Sequence, residues 1–121
     1  MGNHAGYTKL KVFQKSDELV ILIYKITKAF PKEELFGLVS QMRRAAISVV
    51  ANIVEGYGRR NLKEKIQFYY MARGSLTELE YFIELSFKLG YLEKDQYLES
   101  KILREDVGKL LNGFIRSLQE K

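Results

Sequence analysis

Residues 38–60, LVSQMRRAAISVVANIVEGYGRR, constrain the fold more than any other stretch. Apolar side chains recur at Leu38, Met42, Ala45, Ala46, Val49, Val50, Ile53 and Val54. Those steps of three and four mark one face of an α-helix. Ala45, Ala46 and Ala51 are small enough to let another backbone come close. A second stripe, Arg44, Ser48, Asn52 and Glu55, is aligned by the same spacing. Gly56 and Gly58 follow and are expected to end the helix, because glycine adopts the left-handed cap conformation cheaply. A helix with a small apolar face beside a polar stripe belongs at the centre of a domain, packed on several sides.

Three more helices are expected around it. In the first, Ser16 before Asp17 and Glu18 suits an N-cap with acids in the first turn, although a start near Val12 fits equally well. Its face is Leu19, Ile23, Ile26 and Phe30, yet LVILIY puts apolar groups on every side, so it needs cover from more than one direction. Pro31 ends it or opens the next segment. Asn61, with Glu64 three residues on, forms a plausible capping box for a third helix. That helix runs to Gly90, about 28 residues or roughly 42 Å. Its main stripe is Phe68, Ala72, Leu76, Leu79 and Ile83. Gly74 in its middle costs about 1 kcal/mol relative to alanine, which predicts a close approach to the alanines of the second helix. A last helix beginning near Asp95 carries Leu98, Ile102, Val107, Leu110, Leu111, Phe114 and Leu118 on one side. No strand signal or repeat is present. The fold class is therefore all-α, an up-down-up-down antiparallel four-helix bundle over residues 9–121, with residues 1–8 an aperiodic segment expected to be flexible.

Composition narrows the chemistry. The chain has 121 residues, enough for one domain. It has no cysteine, which excludes disulfides, thiolate metal sites and a cysteine nucleophile. The one histidine, His4, stands in the aperiodic N-terminal stretch, so a Ser-His-Asp triad or a Glu-x-x-His di-iron site lacks its histidine. No apolar run spans a bilayer and no signal-peptide core is visible, so a cytoplasmic location without membrane contact is the default. The net charge of +5 falls wholly in residues 1–60, a modest reason to consider nucleic acid.

Candidate sites are few. Gly56-Tyr57-Gly58 follows a helix instead of a strand and has no Gly-Lys-Ser/Thr after it, so a cap is a better reading than a phosphate cradle. Arg44, Ser48, Asn52 and Glu55, faced by Ser75 and Glu78 of the third helix, could form an active-site wall or a structural polar network. No nucleophile, metal ligand or phosphate cradle accompanies them, which favours the network and a non-enzymatic protein without cofactors. The aromatics of the third helix could stack bases, but at helical spacing they are more often core or interface residues.

Arg59, Arg60 and Lys63 cluster at a turn, and up-down topology brings Lys11 and Lys15 to the same end. Lys9, Lys65, Arg116 and Lys121 join them, giving a basic rim suited to RNA or DNA phosphates. The surplus apolar surface of the first and third helices points to a homo-oligomer.

The segments SQMRRAAISVVANIVEGYGRR and FYYMARGSLTELEYFIELSFKLGYL resemble the four-helix-bundle family of 23S rRNA intervening-sequence proteins, related to the accessory variability proteins of diversity-generating retroelements. Gln41, Arg44, Ala45, Ser48, Asn52, Glu55, Gly56, Gly74, Ser75 and Glu78 fall where the family motif has them. Phe13 stands where the family often has tryptophan, and Val50 where it often has proline, which implies a less kinked second helix. The resemblance implies a ring, typically a homopentamer, with no known catalysis. For the retroelement branch it implies binding to a reverse transcriptase and to nucleic acid. The alternative is a protein-only oligomeric scaffold encoded in an rRNA intervening sequence.

Overall fold

A computed structural model describes residues 2–120 of the chain. Its α-helices are α1 (Lys11–Thr27), α2 (Leu38–Tyr57), α3 (Leu62–Lys88) and α4 (Lys94–Gln119). Short 3-10 stretches, Gly2–Lys9 and Lys32–Glu34, precede α1 and α2, and no strand occurs among the described residues. Each helix packs on its chain neighbours and α4 returns against α1. Short connections make those neighbours antiparallel, giving the expected up-down-up-down bundle. At 27 residues α3 is the longest element.

The core follows the helical periodicity. Leu19 and Ile23 of α1, Met42, Val49 and Ile53 of α2, Leu79 and Ile83 of α3, and Val107 and Leu111 of α4 are enclosed. Each such side chain contributes about 1.5–3 kcal/mol by leaving water. Ala45, Ala46 and Ala72 are buried with them, and their size lets α2 and α3 lie close. Helix α1 begins at the earlier of the two expected starts. Ser16 is inside it, buried, its hydroxyl donating to the Phe13 carbonyl at 3.0 Å, so it is not the N-cap. Ahead of α1 the Tyr7 ring meets Phe13 edge-on at 4.9 Å.

Other expectations need correction at the helix ends and on α4. Gly56 lies within α2, and Gly58 caps it with φ −78°, so neither adopts a left-handed conformation. Among the described residues that conformation occurs only at Gly90, φ +81°. There the Tyr91 N–H reaches the Ser86 carbonyl at 2.9 Å and the Gly90 N–H reaches Phe87 at 3.0 Å, the paired bonds of a Schellman motif. Asn61 Oδ1 accepts the Glu64 N–H at 3.1 Å, half of the expected capping box. The reciprocal box closes instead on α4, between Glu93 and Gln96. On α4 the inward face is Ser100, Val107, Leu111, Ile115 and Leu118. Leu98 and Ile102, expected on that face, are 41% and 58% exposed. Helix α4 enters the bundle through half-buried Tyr97 and the Ser100 hydroxyl, which is satisfied by the Tyr97 carbonyl at 3.0 Å.

The predicted close approach exists, but not at Gly74. A Cβ on Gly74 would meet nothing within 4 Å, whereas one on Gly56 would fall 2.6 Å from Tyr69 Cε1. Gly74 therefore contributes only its conformational cost. Gly74→Ala should stabilise the protein by about 1 kcal/mol, seen as a higher urea midpoint; a lower midpoint would mean that α3 needs a bare backbone there.

Candidate nucleic-acid interface

The turn between α2 and α3 sits at the end of the bundle where the chain enters α1 and leaves α4. A Cβ on Gly6 would fall 2.7 Å from the Tyr57 hydroxyl, which puts the N-terminal stretch against the end of α2. Lys11 and Lys109 line one groove of about 320 Å³ between α1 and α4. Gln119 Nε2 donates to the Tyr70 hydroxyl at 2.6 Å, bringing the end of α4 to the first turns of α3. This end thus gathers Lys9, Lys11, Lys15, Arg59, Arg60, Lys63, Lys65 and Arg116, eight bases, with Asp17, Glu18, Glu55, Glu64 and Glu120, five acids. Lys121 lies outside the described residues.

The bases divide by what already holds them. Arg59 donates to Glu55 Oε2 at 3.0 Å, and its guanidinium lies 4.7 Å from the Phe68 ring centroid. Lys65 Nζ donates to the carbonyls of Gly56 at 3.1 Å and Tyr57 at 2.9 Å. It caps the last carbonyls of α2, and partial burial lowers its pKa. Lys15 stands 3.7 Å from Glu18. Lys9, Lys11, Arg60, Lys63 and Arg116 make no such contact among the described residues, and all five are exposed. Lys63 edges a shallow groove of about 380 Å³ with Ile66, Gln67 and Tyr70. Lys109 is a base that periodicity did not single out. Its place opposite Lys11 follows from how far α4 overlaps α1, a register that helical spacing does not fix.

The polar stripe resolves into less than its spacing predicts. Ser75 Oγ donates to Ser48 Oγ at 2.9 Å across the α2–α3 seam. Asn52 Nδ2 donates to the Ser48 carbonyl at 2.8 Å and to Ser48 Oγ at 3.1 Å. The other three expected members are not part of this network. Arg44 bonds Gln41 Oε1 at 2.9 Å, Glu55 pairs with Arg59, and Glu78 is exposed and unpaired among the described residues. The reason is rotation: only the edge of α2 that faces α3 meets that seam, and Arg44 and Glu55 lie outside it. The network is a chain of two hydroxyls and an amide without an acid or base, so it satisfies polar groups at a packed seam. Among the described residues no group of three His, Cys, Asp or Glu could hold a metal ion. No helix is long and apolar enough to cross a membrane.

Fold and surface together define a small four-helix bundle with one basic end and a structural seam network. The family model of the 23S rRNA-intervening sequence proteins matches residues 8–113, and the chain belongs to that family. A crystal structure similar to it is that of a protein with unknown function from the S23 ribosomal protein family of Bacteroides thetaiotaomicron. The two are 27% identical, with a TM-score of 0.80 over 87% of this chain and 95% of that one. No curated protein matches the chain.

Proposed function

We propose that this protein is a non-enzymatic, self-associating helical bundle that binds RNA or DNA through phosphate contacts at its basic end. The observation that carries the reading is the set of exposed cations at that end, Lys9, Lys11, Arg60, Lys63 and Arg116, that no carboxylate engages among the described residues. Arg60 offers a planar fork that can donate two hydrogen bonds to one phosphate. A pentameric ring, as the family resemblance implies, would repeat the set in every subunit and form a rim that grips backbone without reading bases. For the retroelement branch, the resemblance also implies a reverse transcriptase as protein partner, testable by co-purification with such an enzyme encoded nearby.

The test is fluorescence anisotropy of single-stranded RNA and DNA oligonucleotides across a salt series. Each phosphate contact to a single strand contributes about 0.7 to the slope of log affinity against log salt. Lys11→Ala, Arg60→Ala and Lys63→Ala combined should weaken binding and flatten that slope by about 2 per engaged protomer. Arg59 stays intact in this variant, because removing it would also break its contacts with Glu55 and Phe68. An unchanged affinity and slope would leave the protein-only scaffold as the better reading.

A further inference from the structure

Of the apolar patches that the bundle leaves uncovered, two carry opposite charges. The first is the outer side of α1 and α2. Here Tyr24, Phe36 and Ile47 border a groove of about 440 Å³ whose rim carries Arg43 and Arg44. Phe36 is 92% exposed and Ile47 43%. No acid occurs in residues 35–54, and no carboxylate touches either arginine among the described residues. Arg43 Nε donates to Thr27 Oγ1 at 3.0 Å and its guanidinium lies 4.5 Å from the Tyr24 ring centroid, while Arg44 holds only Gln41.

The second face is the outer side of α4. Asp95, Leu98, Ile102 and Asp106 follow at steps of three and four, so they align, and Glu99 lies beside them. Of the bases in this stretch, Arg104 reaches across to α3 and Lys101 lies over Tyr97 of its own helix, while the exposed Lys94 and Lys109 stand at the two ends of the ridge. Lys101 Nζ lies 5.7 Å from the Tyr97 ring centroid, and Arg104 is 3.4 Å from Glu80. What remains outward is a short apolar ridge flanked by exposed carboxylates. Helices α2 and α4 each pack on α1 and α3; they are diagonal in the bundle, so their outer faces look in opposite directions.

We propose that the α4 ridge of one copy docks in the α1–α2 groove of another, with Leu98 and Ile102 entering the groove and Asp95, Glu99 and Asp106 meeting Arg43 and Arg44. This rests on the self-association proposed above and names its two surfaces. A second copy fits both faces because each supplies the charge and the apolar area that the other lacks. A nucleic acid would be repelled by the α4 face and would leave its ridge uncovered. The contact is heterologous, one surface against a different one, so every copy can both offer and receive, and repetition closes a ring or runs on as a filament.

Two variants with exposed substitutions separate the surfaces. Arg44→Glu with Ile47→Asp spoils the groove; Leu98→Asp with Ile102→Asp spoils the ridge. Sedimentation at micromolar concentration should find wild type assembled and each variant alone at the 14.1 kDa protomer mass. Mixed one to one, the variants should form a pair of twice that mass and nothing larger, since one intact groove and one intact ridge remain between them. If either variant loses its helical circular dichroism, the single changes Arg44→Glu and Glu99→Lys replace it, each expected to weaken assembly roughly tenfold. Wild type at protomer mass would overturn the self-association reading itself. Assembled wild type with variants that still assemble, or with folded variants that never pair on mixing, would overturn this docking alone.

Discussion

Gly56→Leu should destabilise the bundle by about 3 kcal/mol or more, the upper range for overpacking, and Gly56→Ala by about 1–3 kcal/mol. Gly56 is buried in the last turns of α2, where α3 begins. A Cβ there would stand 2.6 Å from Tyr69 Cε1, 3.0 Å from Tyr69 Cζ and 3.1 Å from Phe68 Cβ. The Tyr69 ring has little room to yield. It is 0% exposed and its other side meets Phe114, with ring centroids 4.9 Å apart. Leucine would add three further carbons to that contact. The rigid junction must then separate α2 from α3 or displace Phe114 towards solvent, and either course uncovers apolar surface. Urea denaturation of both variants measures the cost. If Gly56→Ala has the midpoint of wild type, the ring slides freely and the junction is not the tight contact described.

Gly56 and Gly74 show which parts of this fold were legible in the sequence. Helix existence, order and the α2 face could be read because burial repeats every three or four residues, and eight apolar positions in 20 residues fix a face. A glycine carries no such redundancy. Gly56 invites a cap and Gly74 a close contact; that the close contact falls at Gly56 and none at Gly74 depends on where α3 crosses α2, which no local pattern encodes. The α4 stripe failed for a related reason. Leu98 and Ile102 keep helical spacing with each other but not with Val107, five residues on; the side turned inward at this level is the opposite one, held by Ser100, and a serine is not an apolar signal.

The basic end was legible in outline and not in detail. Topology alone brings Lys11, Arg60 and Lys63 to one place, because alternating antiparallel helices put odd starts and even ends together. Which of the neighbouring cations stay open depends on rotamers. Arg59 is drawn onto Phe68 and Glu55, and Lys65 onto two backbone carbonyls, so both serve the α2–α3 junction. The same holds for the polar stripe: alignment along α2 is a property of spacing, whereas membership of the seam is a property of how α2 is rotated against α3.

Tyr69→Phe should protect the protein from alkaline unfolding by roughly 2–3 kcal/mol at pH 12. The Tyr69 hydroxyl is buried and has no hydrogen-bond partner in the structure. Burial, with a smaller contribution from nearby Tyr57, pushes its pKa from 10.0 up to about 12. The sign follows from proton counting. Between pH 10 and 12 an unfolded chain has released this proton while the folded one still holds it. The unfolded state then binds fewer protons, so stability falls as pH rises through that window. Below pH 10 both states hold the proton and this loss is absent. Tyr91 and Tyr97 also sit above their usual pKa, chiefly through hydrogen bonds to Glu34 and Glu84, and they give wild type and variant the same alkaline background. Phenylalanine keeps the ring between Gly56 and Phe114 and removes only the titrating group. Near neutral pH it should be more stable than wild type by about 1 kcal/mol, since a buried hydroxyl without a partner is a desolvation cost with no return. Urea midpoints measured from pH 7 to 12 test both parts. Curves for wild type and variant that fall in parallel above pH 10 would mean that the Tyr69 hydroxyl reaches solvent and ionises freely in the folded bundle.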